Sequence, residues 1–462
     1  MRLFDWRSLA VSSMMAWALT AGAETRPQYG GVLHIALRAA PASLDPADGV
    51  QPDSFARRSL TMLIYDTLVT TDENLRVQPS LATSWQASQD NQRWEFRMRR
   101  GVKFHDGTPL TAEIAAASLR AVNPSWSVSA NAESLVVERA SADPELLAEL
   151  ALPRNAIAKR TPESAPSGTG AFHVVDWKPG TKLSLGAEEN NWRGRPFLDA
   201  IEIEMGRSFR DQMTALELGK ADLAEVAPDQ THRASQEGRR IGNSRPVELV
   251  VLVFARDVAS SDEKRLREAL AWSVERTSMR NVLLQGAGQP AASILPNWMS
   301  GYGFVFPTDA DLPRARHARE QVRAIPIWTI GYDGNDTVAR LLAERIALNA
   351  KDAGLSLQPT ASAAAADLRV VRIPLASLNP SIALADVARL AGATAGKESG
   401  SVEDLYASEQ AILATQRMIP LFHLPVSYAA SATLRNWSLR SDGSWDLAGA
   451  WLEVGKPTIS KP

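Results

Sequence analysis

The sequence predicts an α/β protein of more than one domain, and three observations carry that prediction. The chain has 462 residues, far more than one typical core requires, so two or three domains are expected. Strand and helix patterns alternate through its central third, as in a sheet covered by helices. Hydrophobic residues make up 45% and charged residues 22%, the proportions of an ordinary globular protein.

The first residues read as an export signal. Arg2 and Arg7 bracket a short charged start, residues 8–21 form an apolar run, and Ala21-Gly22-Ala23 offers a small-residue cleavage site. The run is too short to span a bilayer, so a signal peptide over residues 1–23, cleaved after Ala23, is expected. The chain contains no cysteine, which excludes disulfides, thiol nucleophiles and cysteine metal sites. It also leaves no residue for a lipid anchor, and a soluble periplasmic protein is the expected result. A formal net charge of −2 supplies no pull toward nucleic acid or an anionic membrane.

The elements follow in order. Residues 30–37 read as a strand, 41–46 as a loop and 59–67 as a helix. Trp94, Phe96 and Met98 alternate with Glu95, Arg97 and Arg99, the period of a half-buried strand. Gly101 ends it, Asp106-Gly107-Thr108-Pro109 is turn chemistry, and Thr111 is placed to cap a helix over 112–119. A helix is expected near 144–152. Ser167-Gly168-Thr169-Gly170 lacks the Lys-Ser/Thr of a phosphate loop and reads as a tight turn entering a strand. Residues 201–205 alternate as a strand, and 209–218 form an amphipathic helix stopped by Gly219.

Residues 247–254 are, apart from Glu248, an apolar run rich in β-branched side chains, as in a strand buried on both faces. A helix capped by Ser261 or Asp262 follows, with Gly286 beyond its end. A second unit repeats the plan: a strand over 325–330, Asp336 as cap, a helix, and Gly354 as its stop. The alanine-rich stretch 361–366 is brief and reads as a loop or helix turn.

The chemistry of enzymes is missing from the pattern. No two of the six histidines lie at metal-ligand spacing, and no His-Glu-x-x-His, Gly-x-Ser-x-Gly, Walker or dinucleotide-binding motif occurs. His105, at the start of the Asp106-Gly107-Thr108-Pro109 turn, reads as structural. A non-enzymatic protein is expected, with no catalytic residue, metal site or cofactor.

The string from Trp94 to Glu113, the Ser167-Gly168-Thr169-Gly170-Ala171-Phe172 turn, the stretch 265–276 and the late Ile419-Pro420-Leu421-Phe422-His423 strand together resemble the family 5 extracellular solute-binding proteins, the peptide and nickel receptors of ABC importers. The resemblance implies a two-lobed, periplasmic-binding-protein-like α/β fold with mixed sheets flanked by helices and a small inserted domain. It places lobe I at 24–55, 166–257 and 416–462, the inserted domain at 56–165 and lobe II at 258–415. It further implies a monomer that captures a small solute, such as a short peptide or another compact polar metabolite, and delivers it to an ABC permease in the inner membrane.

A buried solute requires an apolar and aromatic lining with a few polar groups. Trp298, Tyr302, Trp328 and Tyr332 fall in loops or strand ends of the second lobe. Phe422 and His423 match a return strand that faces the cleft in the family. These six are the candidate ligand-binding residues.

Two departures bear on specificity. Ala255 follows Phe254 where relatives carry Asn, and the stretch 372–386, centred on Asn379-Pro380, has no acid before Asp386 to meet a peptide ammonium. An ammonium buried without a counter-charge costs several kcal/mol. The alternative function is therefore a sensor or chaperone-like interaction protein on the same scaffold, with a degenerate pocket.

Overall fold

The structure is a computed structural model that describes residues 26–50, 53–72, 74–161, 164–393 and 401–453. The expected signal peptide lies outside these residues. Among them, eleven strands form one mixed sheet. Its spatial order is Phe172–Lys178, Lys182–Ala187, Ala200–Glu204, Val32–Ala36, Leu223–Glu225, Met418–Ala430, Arg240–Phe254, Leu368–Pro374, Ile327–Gly331 and Ser356–Thr360, with Gln289–Pro290 against Met418–Ala430. Arg240–Phe254 and Met418–Ala430 are long enough to belong to both halves, and they join the two lobes as antiparallel neighbours.

The pleat explains the apolar run on the first of these crossover strands. Val250, Leu252 and Phe254 point into a core with Leu270, Ile330 and Ile346. Leu249, Val251 and Val253 point into another with Ile373, Leu384 and Ile412. Successive strand residues face opposite sides, so a strand with a helical layer on each side shows no alternation. The layers are Ser261–Ser273 and Thr337–Asp352 on one side, Pro380–Leu390 and Val402–Ala414 on the other.

Further along the pair, Pro246 faces Pro425, flanked by register shifts between Asn243 and Pro246 and between Pro246 and Glu248. Proline has no N–H, so neither residue donates to the ladder at this rung.

The first lobe packs Leu33, Ile35, Leu185, Ile203 and Tyr428 against the helix Phe55–Ile64. This helix begins four residues earlier than the sequence suggests, because Ser54 caps it by accepting from the Arg57 N–H. A separate core holds Trp94, Phe96, Met98, Leu119 and Leu135, under a four-stranded antiparallel sheet in the order Ala82–Ala87, Arg93–Met98, Ser134–Glu138, Ser127–Asn131.

The signature string folds as its residues dictate. The strand is Arg93–Met98, with Trp94, Phe96 and Met98 buried. The Thr111 hydroxyl accepts from the Ile114 N–H and caps Ala112–Val122. His105 secures the glycine turn: its N–H donates to the Gly168 carbonyl at 2.9 Å, and its Nε2 lies 3.0 Å from the Gly170 carbonyl. A Cβ on Gly168 would come within 1.9 Å of the Ile64 carbonyl, so only glycine lets the turn reach the helix end. The helix expected after Ser261 is two helices, Ser261–Ser273 and Arg276–Leu283, the first capped by Ser260.

Candidate functional site

A cavity of about 160 Å³ lies where the crossover strands pass between the lobes. Its lining includes Arg38, Asp53, Phe209 and Glu225 from the first lobe and Glu248 and Arg372 from the second-lobe end of the sheet. Val32–Ala36 and Leu223–Glu225 run parallel, with Ile35 beside Leu223 and Ala36 beside Ala224. Arg38 and Glu225 therefore both stand at the carboxyl end of neighbouring parallel strands, the position at which open α/β sheets bind ligands.

Most of the charge here is matched. The Arg372 guanidinium donates to Glu248 Oε2 through Nε at 3.0 Å and Nη2 at 2.5 Å, and to Asp336 Oδ2 at 3.2 Å. Burial works against the Arg372 charge, yet the two carboxylates outweigh it and raise its pKa. Burial likewise opposes ionisation of Asp336, and Arg372 with the Ala339 N–H overcomes it, holding the carboxyl below its ordinary value. Arg58, 3% exposed, donates through Nε to both Asp53 oxygens at 3.0 Å.

Arg58 also reaches across the lobes, donating from Nη1 to the Leu375 carbonyl at 2.8 Å. Two further contacts tie the same second-lobe edge to the inserted region: Arg154 to Asp386 at 2.6 Å, and the Asn379 amide to Glu145. The stretch without an acid before Asp386 is thus docked on residues 145–154.

Arg38 and Glu225 differ from these pairs. Among the described residues, neither takes part in an ion pair. Glu225 Oε2 accepts from the Arg38 backbone N–H at 2.7 Å and from Gln212 Nε2 at 3.2 Å, while Oε1 has the Tyr428 hydroxyl at 3.5 Å. The Arg38 Nε is buried and lacks a hydrogen-bond acceptor, and its Cζ sits 5.4 Å from the centre of the Phe209 ring.

A larger recess of about 630 Å³ lies on the first lobe alone, with Lys182, Glu202, Glu204 and Arg207 in its lining. Lys182 pairs with Glu202 and Arg207 with Glu204, each at 2.7 Å. These are part-exposed pairs on an open sheet face, whose charges already satisfy one another. Nothing from the second lobe reaches it, so the smaller cavity is the better site.

The six residues singled out from sequence fall mostly elsewhere. Trp328 and Phe422 lie in one second-lobe core, where Trp328 packs edge-on against Phe254 with ring centres 5.5 Å apart. Tyr332 packs against that core from its margin. Tyr302 lies in the other core and donates to Glu409 at 2.7 Å. Glu409 also accepts from the Ile294 and Leu295 N–H groups, and the buried His423 Nε2 lies 3.0 Å from the Ile294 carbonyl. Burial pushes the Glu409 carboxyl up to about 7, and depresses the His423 imidazole to about 4. Trp298 lies at the junction: its Nε1 donates to the Pro246 carbonyl at 3.0 Å, under the Arg245 guanidinium.

Sequence reasoning passed over Arg38, Glu225, Glu248 and Arg372. Two of them carry a signal: Glu248 interrupts an apolar run, and Arg372 interrupts the Val370-Val371…Ile373 strand. A charge within a doubly buried strand demands a partner. Among the described residues, no three His, Cys, Asp or Glu side chains converge to hold a metal ion, and no helix is long and apolar enough to cross a membrane.

Comparison with known proteins gives the following. The family described as "Bacterial extracellular solute-binding proteins, family 5 Middle" matches residues 76–371. The nickel-binding protein NikA of Staphylococcus aureus is 27% identical over 243 residues, covering 49% of this chain and 49% of that protein. The probable D,D-dipeptide-binding periplasmic protein DdpA of Escherichia coli is 26% identical over 344 residues, 66% of this chain and 65% of that one. The alignments thus span about half to two thirds of these relatives. Among solved structures, a dipeptide-binding protein from Pseudoalteromonas in complex with Met-Leu superposes with a TM-score of 0.78 at 15% identity, covering 92% of this chain and 100% of that one.

Proposed function

Because the chain belongs to the bacterial extracellular solute-binding proteins of family 5, we propose that it is the periplasmic receptor of an ABC importer, capturing a small solute between its lobes and delivering it to an inner-membrane permease. Family 5 members are transport binding proteins rather than enzymes. The observation that carries the reading is the small, charged cavity at the crossover strands, with walls from both lobes. The relatives named for nickel and for D,D-dipeptides agree with a small polar cargo. Export to the periplasm as a monomer completes the proposal. Trp298, at the junction, stays a candidate at the mouth of the site.

The reading is tested by calorimetry on the purified chain against short peptides, sugars, opines and metal chelates, with capture of permease subunits from membranes of the same cell. A saturable solute and a captured permease are expected.

A second reading has its own observation. Arg58, Arg154 and Asn379 tie the two sides of the cleft together through protein groups alone. A scaffold held shut in this way suits an interaction protein that carries no solute. Absence of any saturable small ligand, with a non-permease periplasmic partner captured instead, would favour it over the receptor.

A further inference from the structure

We infer that the solute is a compact zwitterion of the α-amino-acid class, its carboxylate held by the Arg38 guanidinium and its ammonium by the Glu225 carboxylate. The inference rests on the receptor reading and narrows it.

The other charges of the cavity already have partners. Glu248 and Asp336 share Arg372, and Asp53 faces Arg58. Asp53 and Arg58 balance each other, whereas Glu248 and Asp336 hold Arg372 between them with one negative charge in excess; a charged ligand meeting any of these groups would have to break an existing ion pair, which is costly where it is buried. Arg38 and Glu225 are the cavity-lining charges that, among the described residues, have no such partner. Arg38 is half-buried, with Nε removed from water and without an acceptor. Glu225 Oε2 is occupied by two N–H donors, whereas Oε1 keeps room for a strong one, since a hydroxyl at 3.5 Å is at the limit of a hydrogen bond.

Geometry holds both groups in place. Each ends one of two adjacent parallel strands. The Arg38 backbone N–H bonds the Glu225 carboxylate, and Gln212 returns a bond to that strand by accepting from the Glu225 N–H at 2.9 Å. The Phe209 ring supports the guanidinium. A fork-shaped donor suits a carboxylate, and a free carboxylate oxygen suits an ammonium.

Charge then selects the ligand. A simple anion would satisfy Arg38 but lie against Glu225, and a simple cation would satisfy Glu225 but lie against Arg38. One molecule carrying both charged groups on the same carbon satisfies the two at once. A cavity of about 160 Å³ falls well below the ~300–1,000 Å³ of sites for drug-sized ligands, which suits one amino acid rather than a peptide. The missing second-lobe acid is thereby explained: the ammonium partner lies on the first lobe.

The test is isothermal titration calorimetry on the full exported chain, freed of carried-over solute by unfolding and refolding. The probes are the twenty L-amino acids, their C-amides and N-acetyl forms, peptides of two to five residues, and nickel–histidine. At least one free amino acid is expected to bind, with a tenfold or greater loss for its C-amide and for its N-acetyl form. Arg38→Gln should abolish discrimination against the amide and Arg38→Lys should restore part of it. Glu225→Gln should abolish discrimination against the N-acetyl form. If a variant fails to fold, the derivative series on the unaltered chain still decides. Equal binding of the blocked forms, or full discrimination in both Gln variants, overturns the inference. Binding of peptides or nickel–histidine with no amino acid overturns it while leaving the receptor reading intact. No saturable binding by any probe overturns both.

Discussion

Two clusters of buried titratable groups show two ways of keeping charge inside this protein. At the cavity, Arg372 answers Glu248 and Asp336 with a rigid guanidinium; against burial, the carboxylates raise the Arg372 pKa and Arg372 holds the Asp336 carboxyl below its ordinary value. Inside the second lobe, Glu409 and His423 have no opposite charge. They hold opposite ends of one residue instead: Glu409 accepts the Ile294 N–H and His423 bonds the Ile294 carbonyl. Burial there shifts both groups toward their neutral forms. Ion pairing places charges where two bodies meet, whereas neutralised groups serve as hydrogen-bonding posts within one body.

The comparison breaks most sharply at Arg372. Replacing it with Met leaves two carboxylates buried without a cation, and unfolding in urea should show a loss of about 3–5 kcal/mol. Adding Glu248→Gln should return part of it. A loss below 1 kcal/mol would mean that water reaches the carboxylates.

The second-lobe pair makes a prediction in pH. Between about 4.5 and 7 the native Glu409 holds a proton that the unfolded chain has released, so its contribution to stability falls as pH rises. Between about 4 and 6.5 the unfolded His423 holds a proton that the native ring lacks, so its contribution rises with pH. The two slopes oppose each other across the shared span and nearly cancel. Relative to the unaltered chain, Glu409→Gln should make stability climb with pH by about 1.4 kcal/mol per unit, and His423→Gln should make it descend equally. Urea midpoints from pH 4.5 to 6.5 check both signs. Parallel curves in all three proteins would refute the assignment.

A smaller effect is expected at the lobe contact. Arg154 is one-third exposed and shares Asp386 with Arg389, so Arg154→Ala should cost about 1 kcal/mol or less in stability. Its better readout is a more open shape in small-angle scattering. A change of similar size lies outside both clusters: Thr111→Ala removes a helix cap and should cost about 1 kcal/mol, leaving scattering unchanged.

The contrast also shows what could be read in advance. The segment Trp94 to Glu113 was legible because its determinants are local: a two-residue period, a glycine turn and a hydroxyl three residues before the N–H it caps. The α/β lobes followed from alternation of strands and helices for the same reason. The cavity was not legible, since residues 38, 225, 248 and 372 meet only through the order of strands in the sheet. Aromatic residues expected in loops or strand ends lie mainly in the core, because large rings there are drawn beneath the helical layers, as Trp328 is; Phe422, expected on the return strand, is buried in the same core. Charges breaking an apolar strand, Glu248 and Arg372, were the better guide.

The rung at Pro246 and Pro425 has a mechanical consequence. On either side of it the two crossover strands are bonded into stiff ribbons with packed helices, but at the rung itself neither residue can donate to the ladder. The sheet is scored there like a folded card. Swinging one lobe against the other about this line would break no bond donated by either proline, but the contacts of Arg58, Arg154 and Asn379 across the cleft would have to yield. Pro425 is itself part of the cavity wall, which puts the fold line directly beside whatever the cavity holds.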